Sequence, residues 1–441
     1  SLPSRTATHF ERPAPPMISA NALPRLMHRA SGRPLSLEEH DQEFGLVNPQ
    51  TDFLAELRDS GLTGRGGAGF PTYKKVELLR EQRGHGKFVV VNAMEGEPAS
   101  HKDLALLNAN PHLVIDGAEI LAHMIGAKRI AICVSRDNPI VINNVKRALH
   151  ERTRRSLRGP EIELHTPPWR YVAGEESALV HWLDDNESLP QYRPHRPTIL
   201  KIGRSAVLVD NAETCANVGL IGRFGANWFR QLGTSTSPGS TLVSVTGAVE
   251  RAHVIEVALG TPVKAILEVA GADTDPLAIL LGGYGGTWLS GDNIRLPFAT
   301  EDLSSVGASV GAGIIMVLPK RACGIMETFR ITKWMANESA RQCGPCAFGL
   351  PALAEDLQQL VIGGKDRKQS LDRLIHRAGE IDGRGACKHP DGVVRMIRTA
   401  LQVFDKDLQN HINGASCVGS RATKFYATVP KHEREEELVW E

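Results

Sequence analysis

The chain lacks an excess of charge of either sign: 51 Lys+Arg stand against 50 Asp+Glu, for a formal net charge of +1. A nucleic-acid footprint usually needs a strongly basic domain, and a disordered acidic chain needs the opposite, so both classes are disfavoured. Long apolar runs are lacking too. The uncharged stretch Val306–Pro319 is broken by glycines and falls short of the ~18 residues of a membrane span. Arg5, Glu11 and Arg12 interrupt the first residues, so no secretory signal is expected. Cysteine is sparse, seven in 441 residues, an odd count in a chain too long to need stapling. A disulfide framework is not expected, and metal binding or catalysis becomes the better question. Cys133, Cys215, Cys323 and Cys417 stand alone and read as small buried hydrophobes. With no internal repeat or low-complexity block, the expectation is a soluble cytoplasmic protein of two to four domains, at roughly 100–200 residues each.

Periodicity then divides the chain. Residues 1–45 read as an extended lead-in, since Pro13, Pro15 and Pro16 bias the backbone away from helix. A helix over Asp52–Asp59 closes at Gly61, and a second, through Lys75 to Arg80, follows a glycine-rich loop. From Lys87 strands and helices alternate: Phe88–Asn92, Arg129–Val134 and Glu161–His165 as strands, Val114–Ile125 and Ile140–Thr153 as helices. Such alternation predicts an α/β layer with right-handed crossovers. Near residue 240 the pattern becomes strand–strand–helix–strand, through Thr241–Gly247, Val254–Gly260, Thr261–Ala270 and Ala278–Gly285, which suits a small α+β module. Beyond Gly324 helices are expected over Met326–Ala336, Pro351–Val361, Leu371–Ala378 and Asp391–His411, before a solvated tail from Lys431 to Glu437. The boundaries expected are 1–45, 46–238, 239–323, 324–413 and 414–441.

Gly64-x-Gly66-x-x-Gly69 matches the dinucleotide fingerprint as a string, but that fingerprint needs a strand before it, and here a helix precedes. What survives is an anion nest: backbone N–H groups without side chains, ahead of a helix N-terminus, with Arg65 and Lys75 as candidate charges for a phosphate. The bland alternative is a turn-rich connection. Asn92-Ala-Met-Glu95-Gly-Glu97-Pro98 follows the first strand, at the edge where open α/β sheets bind ligands. Glu175 and Glu176, after Gly174, open a helix whose macrodipole already explains them, or they receive sugar hydroxyls. Asp210, Asn211, Glu213 and Thr214 end an apolar run. Each segment is weak alone; together they point to one nucleotide site. Cys343-x-x-Cys346 with Cys387 forms a metal signature, iron–sulfur or zinc, His389 being able to complete a Cys3His set.

The segments Gly61–Thr72, Asn92–Pro98, Gly174–Glu176, Asn211–Thr214 and Glu338–Cys346, in this order and spacing, resemble the FMN- and NADH-binding flavoprotein subunit of respiratory complex I. That family is shared with NAD-linked hydrogenases and formate dehydrogenases. The resemblance implies a Rossmann-like FMN-binding domain, a β-grasp module of the soluble-ligand-binding type and a helical bundle holding an iron–sulfur cluster. By carry-over, Gly64, Arg65, Gly66, Gly67, Lys75, Asn92, Glu95, Gly174, Asp210, Asn211 and Thr214 surround FMN. Phe70, Glu97, Glu175 and Glu176 face the dinucleotide, and Cys343, Cys346 and Cys387 ligate the cluster. No side chain is expected to be the catalyst; hydride passes from NAD(P)H to the flavin, and electrons then pass singly to the cluster and a ferredoxin-like or thioredoxin-fold [2Fe–2S] partner within a hetero-oligomeric redox complex, or in reverse.

Three departures bear on that reading. Ala340 stands where the family's cluster motif starts with cysteine, leaving a [3Fe–4S] cluster, a [4Fe–4S] cluster with another fourth ligand, or none. Met94 replaces an aspartate beside the flavin, and Leu78 and Arg196 stand where two aromatics stack on adenine. Arg193 and Arg196 could grip a 2′-phosphate, which brings NADPH into play. The alternative to a flavoenzyme is a degenerate relative that keeps the fold as a scaffold.

Overall fold

The computed structural model describes residues 21–155, 159–193, 199–363, 366–415, 417, 419 and 424–430. Residues 1–20 of the expected lead-in, most of the charged tail and Arg196 lie outside them.

The first layer grows from short, well-capped helices. The expected lead-in contains α1 (Leu37–Phe44), where Ser36 and Glu39 bond each other's backbone in a capping box. α2 (Phe53–Ser60) is capped by Asp52 and closed by Gly61 in the left-handed region, and α3 (Thr72–Glu81) follows the glycine loop. β1 (Lys87–Ala93) leads to α4 (Lys102–Ala109), a helix not expected from periodicity, then to α5 (Pro111–Ile125). β2 (Arg129–Val134), α6 (Pro139–Arg154), β3 (Glu161–His165), a 3-10 turn (Tyr171–Gly174), α7 (Glu176–Asp185), β4 (Leu200–Ile202), β5 (Ser205–Asn211) and α8 (Ala212–Phe229) complete the layer.

The sheet order is β3-β2-β1-β5-β4, parallel except for the β4 edge; Val90 faces Ala131 on one side and Val209 on the other. Alternation along β1 sends Val89 and Val91 into the core under α5 and α8, and Phe88, Val90 and Met94 into a smaller core with Leu179 and Val180. α5 and α8 cross at backbone distance: a Cβ on Gly117 would lie 1.6 Å from the Cys215 carbonyl oxygen. Because β2 and β5 leave β1 on opposite sides, a crevice opens at the C-terminal ends of β1 and β5, where α/β sheets bind ligands.

The second sheet comprises β6 (Ser240–Gly247), β7 (His253–Ala258), β8 (Ala278–Leu281), β9 (Thr287–Ser290) and β10 (Ile314–Leu318), with α9 (Val263–Val269) and α10 (Thr300–Ser304) between them. Its order is β7-β6-β10-β8-β9, with β10 lying parallel to β6, the β-grasp arrangement that the resemblance implied. The strand expected over 278–285 ends at Leu281, because Gly282 and Gly283 turn the chain at φ 86 and 88, and β9 follows as a strand the pattern did not predict. One sheet face packs on α9; the other packs on a bundle of α11 (Gly324–Asn337), α12 (Leu350–Ile362), α13 (Arg367–Ile381), α14 (His389–Val403) and α15 (Asp405–Ile412). The long helix expected over 391–411 breaks at Phe404, whose buried ring packs edge-on against Trp288 and over Gly324; tertiary packing overrides the local pattern.

Candidate functional site

A cleft of about 1400 Å³ opens at the C-terminal ends of β1 and β5 and continues to the bundle. Single-ligand pockets usually run about 300–1,000 Å³, so this one has room for two. The backbone from Gly66 to Gly69, Lys75, Asn92, Glu95, Glu97, Gly174, Glu175, Glu176, Asp210, Asn211 and Thr214 line it, with Gly64, Phe70 and Arg193. Cys387 lines its far end. The structure therefore brings the four polar segments and one candidate cluster ligand to a single cavity. Leu78 lines it as well, whereas Met94 is buried beneath it in the core.

The glycine loop closes by a hydrogen bond from Gly64 N–H to the Phe70 carbonyl (2.9 Å), and Gly67 and Gly69 have φ of 124 and 64, open to residues without a Cβ. The expectation that Arg65 reaches into the cleft is not met. Its guanidinium is buried against the carbonyls of Pro238 (3.2 Å) and Ser240 (3.3 Å), and its N–H donates to Thr214 Oγ1 (2.9 Å). Burial lowers its pKa while the Glu213 charge opposes that shift. Arg65 thus ties the loop to β6. Behind it Lys102, 2% exposed, donates to the Arg65 carbonyl and to Glu213 Oε2, both at 2.5 Å, while Glu213 Oε1 accepts from Thr241 Oγ1 and Leu242 N–H. Lys102 gives no sequence signal, because a lysine opening a helix ordinarily faces water.

Lys75 also differs from its expected part as a phosphate grip. Its ammonium donates to Val209 O (2.7 Å), Glu176 Oε1 (2.8 Å) and Asp210 Oδ1 (3.3 Å), which uses all three protons. Burial works against the charge, but Asp210 and Glu176 outweigh it and hold the pKa above its ordinary value. Asp210 is pushed up by burial, with Lys75 opposing, and its Oδ2 is buried with no hydrogen-bond partner. A cleft-lining carboxylate with an unmet acceptor, beside a side-chain-free loop, fits a ligand carrying both ring donors and a phosphate; the FMN of the implied family has this chemistry.

Several acids are already engaged. Glu95 accepts from Ser100 Oγ (2.7 Å) and from the N–H groups of Asp103 and Leu104, capping α4. Glu175 caps α7 through the N–H groups of Ser177 (2.9 Å) and Ala178 (3.1 Å), and Arg193 Nη2 donates to its other oxygen at 2.8 Å. Arg193 lines the cleft, but its charge is met by Glu175. Asn211 caps α8 through Thr214 N–H (2.9 Å), and Asn92 Nδ2 donates to the Gly174 carbonyl (2.8 Å). Glu97 accepts from Tyr284 N–H (3.0 Å) and Tyr171 OH (3.3 Å); burial pushes its carboxyl up to about 7.

At the far end Cys343, Cys346 and Cys387 bear on one another: burial, then the charges of Cys343 and Cys387, raise the Cys346 thiol. Cys346 lies in a π-helical turn, Pro345–Gly349, a form frequent at functional sites. Ala340 offers no donor to this group. Residues that sequence reasoning missed join the two ends: Tyr171 touches Glu97, Trp334 and His389, and its N–H donates to Glu338 Oε2 (3.3 Å), which also lies 3.4 Å from Arg170 Nε. His389 Nε2 bonds the Met335 carbonyl at 2.8 Å.

The fold and cleft together define an α/β flavin- and nucleotide-binding class joined to a helical thiolate site. Residues 57–220 match the Nuo51 FMN-binding domain, and residues 327–411 match the NADH-ubiquinone oxidoreductase-F iron-sulfur binding region. The second match favours iron–sulfur over the zinc alternative for the three thiols. The F subunit of NADH-quinone oxidoreductase in Streptomyces coelicolor is 30% identical over 378 residues, covering 83% of this chain and 84% of the relative. Its counterpart in Mycobacterium tuberculosis is 28% identical over 403 residues, covering 86% and 90%. The NAD+-reducing [NiFe]-hydrogenase in its H2-reduced state is similar with a TM-score of 0.76 at 27% identity, spanning 82% of this chain and 62% of that one. The chain belongs to the family of NADH-quinone oxidoreductase F subunits. Among the described residues no helix is long and apolar enough to cross a membrane.

Proposed function

We propose that this chain is the electron-input subunit of a redox complex, which takes hydride from NADH onto FMN and passes electrons singly through a three-thiolate iron–sulfur cluster to a [2Fe–2S] partner. The observation that carries the reading is the continuity of one cleft, with the glycine loop and Asp210 at one end and Cys387 at the other. When bound, FMN supplies the conversion between two-electron and one-electron chemistry. The protein's part is orientation and electrostatics. The Gly66–Gly69 backbone would receive the phosphate, Asp210 Oδ2 would offer its unmet acceptor to the ring, and Lys75 opposes the effect of burial on that carboxylate. Glu97 and Phe70 take the dinucleotide side. Arg193, neutralised by Glu175, favours NADH over the 2′-phosphorylated form. The proposed division places the flavin and nucleotide in 46–238, the β-grasp module in 239–323 and the cluster in 324–413.

The scaffold alternative rests on Met94, Ala340 and the two adenine-stacking aromatics replaced by Leu78 and Arg196. Met94 packs in the core, away from the cleft lining, which weakens it. The test is anaerobic reconstitution with FMN, iron and sulfide, followed by addition of NADH or NADPH. Flavin bleaching by NADH, at least about tenfold faster than by NADPH, is expected. Protein that stays colourless and takes up no FMN overturns the reading; equal rates overturn the donor preference alone.

A further inference from the structure

Two cysteines expected to stand alone do not. Cys323 precedes α11, Cys417 follows α15, and His411 lies in the last turn of α15; the three are buried, and their ligand atoms lie within 4.8 Å of one another. His411 Nε2 is 3.3 Å from Cys323 Sγ. On a zinc tetrahedron, bonds of about 2.3 Å to sulfur and 2.0–2.1 Å to nitrogen put neighbouring ligand atoms about 3.5–3.8 Å apart, so the group is already close to that shape. Two thiols and an imidazole are a donor set that suits zinc and fits poorly with magnesium or calcium.

The surroundings support a bound cation. Cys323 Sγ accepts from Met326 N–H (3.4 Å) at the N-terminus of α11. Asp407, one turn before His411, bears on both Cys323 and His411, and its Oδ2 accepts from Gly324 N–H (3.1 Å). The site also lies away from the cluster thiols. α11 has 14 residues, about 21 Å of helix at 1.5 Å per residue, with Cys323 before its start and Cys343 beyond its end.

We propose that Cys323, His411 and Cys417 bind one structural zinc ion, and that this ion fastens the chain beyond α15 to the start of α11. The segment it fastens continues along that helix. Tyr426 and Ala427 donate N–H to Glu327 at 2.9 and 3.2 Å, and Trp334 Nε1 donates to the Pro430 carbonyl at 3.1 Å. At Gly419 a Cβ would meet Cys323 N at 2.3 Å, so the strap presses onto the cap of α11 where only glycine fits. Binding displaces the two thiol protons to solvent, and no electron is transferred.

The experiment is elemental analysis of the full-length protein isolated without added metal, with thiol counting under non-reducing denaturation. The expected result is about one zinc per chain in addition to the cluster iron. Cys417→Ser and His411→Ala should each lower zinc at least about tenfold and leave iron unchanged, while Cys343→Ser with Cys346→Ser should lose iron and keep zinc. Should the first variants fail to fold, the wild-type chain decides: cobalt(II) exchange gives the visible bands of tetrahedral sulfur ligation, and chelation speeds tryptic cleavage at Lys424. A Cys323–Cys417 disulfide, a full thiol count with no zinc, or zinc that disappears with Cys343 and Cys346 would each overturn the proposal.

Discussion

Replacing Lys75 by methionine separates what this ammonium does for the fold from what it does for the flavin. Asp210 is 3% exposed, lies 3.3 Å from the ammonium, and has no partner for its second oxygen. Removing one member of a buried pair typically costs about 3–5 kcal/mol, because the other charge stays buried. The Glu176 contact adds little, since that carboxylate is 40% exposed and such pairs contribute about 0–1 kcal/mol. Asp210 has an escape: it can take a proton. Burial already raises its pKa, and without Lys75 the rise is larger. In the variant the native state then holds this proton more tightly than the unfolded chain, so stability falls as pH rises from the ordinary aspartate range through the raised pKa. The deficit should be about 3 kcal/mol near pH 8 and should shrink by about 1.4 kcal/mol per unit as pH drops through that window. Urea titration of the flavin-free protein at several pH values measures it. Lys75→Met with Asp210→Asn should recover most of the stability, because no buried charge remains. Flavin retention should stay lost, because that pair offers neither the ammonium nor the second carboxylate oxygen. A pH-independent deficit would refute the Asp210 argument, and a double variant that holds FMN like the wild type would refute the cofactor argument.

Glu97 titrates at about 7 because it is buried, so its folded pKa stands above its unfolded one; the stability it contributes is complete below the unfolded pKa and is lost as pH rises to about 7. Glu97→Gln should flatten that slope in denaturation curves and remove a step near neutral pH from NADH-driven flavin reduction. Ala340→Cys should supply the missing thiolate, so that the [3Fe–4S] electron paramagnetic resonance signal formed on air oxidation disappears; an unchanged signal would mean that position 340 does not reach the cluster. Gly117→Ala should destabilise by about 3 kcal/mol or more, since its Cβ would lie 1.6 Å from the Cys215 carbonyl and helix backbones cannot yield as side chains do. Thermal melting of that variant, against Gly379→Ala on the open face of α13, measures the difference.

How much of this can be read from the residues depends on whether the signal is local. β2 and β3 match their expected bounds because the apolar run of Ile130–Val134 and the alternation of Glu161–His165 are both legible in one dimension. α1 escapes that reading although its Ser36–Glu39 capping box is a local signature, because the prolines before residue 17 dominate the segment. The cleft-lining residues are visible as strings at element ends, where open sheets place ligands. The direction of Arg65 is not legible. Its neighbours on the loop face the cleft, but carbonyls of Pro238 and Ser240, about 175 residues away, turn its guanidinium the other way. The same holds for Cys323 and Cys417, which are separated in sequence and joined by the return of α15 past α11.

The residues between the two ends of the cleft bear on why one chain carries both. Tyr171 stands beside Gly174, whose carbonyl holds Asn92, and its N–H reaches Glu338 in the segment that leads to Cys343. Its hydroxyl donates to Glu97, and its ring meets Trp334 and His389 edge-on. Arg170 and Glu338 are both almost fully buried, so drawing them apart would cost the desolvation that their pairing helps to offset. A shift of the cluster segment would expose or unpair Glu338 and thereby move the turn that shapes the flavin side. The cleft and the thiolate site are therefore not modules that drift against each other; the buried pair and the Tyr171 contacts fix their separation, and electron passage over that separation depends on its staying fixed.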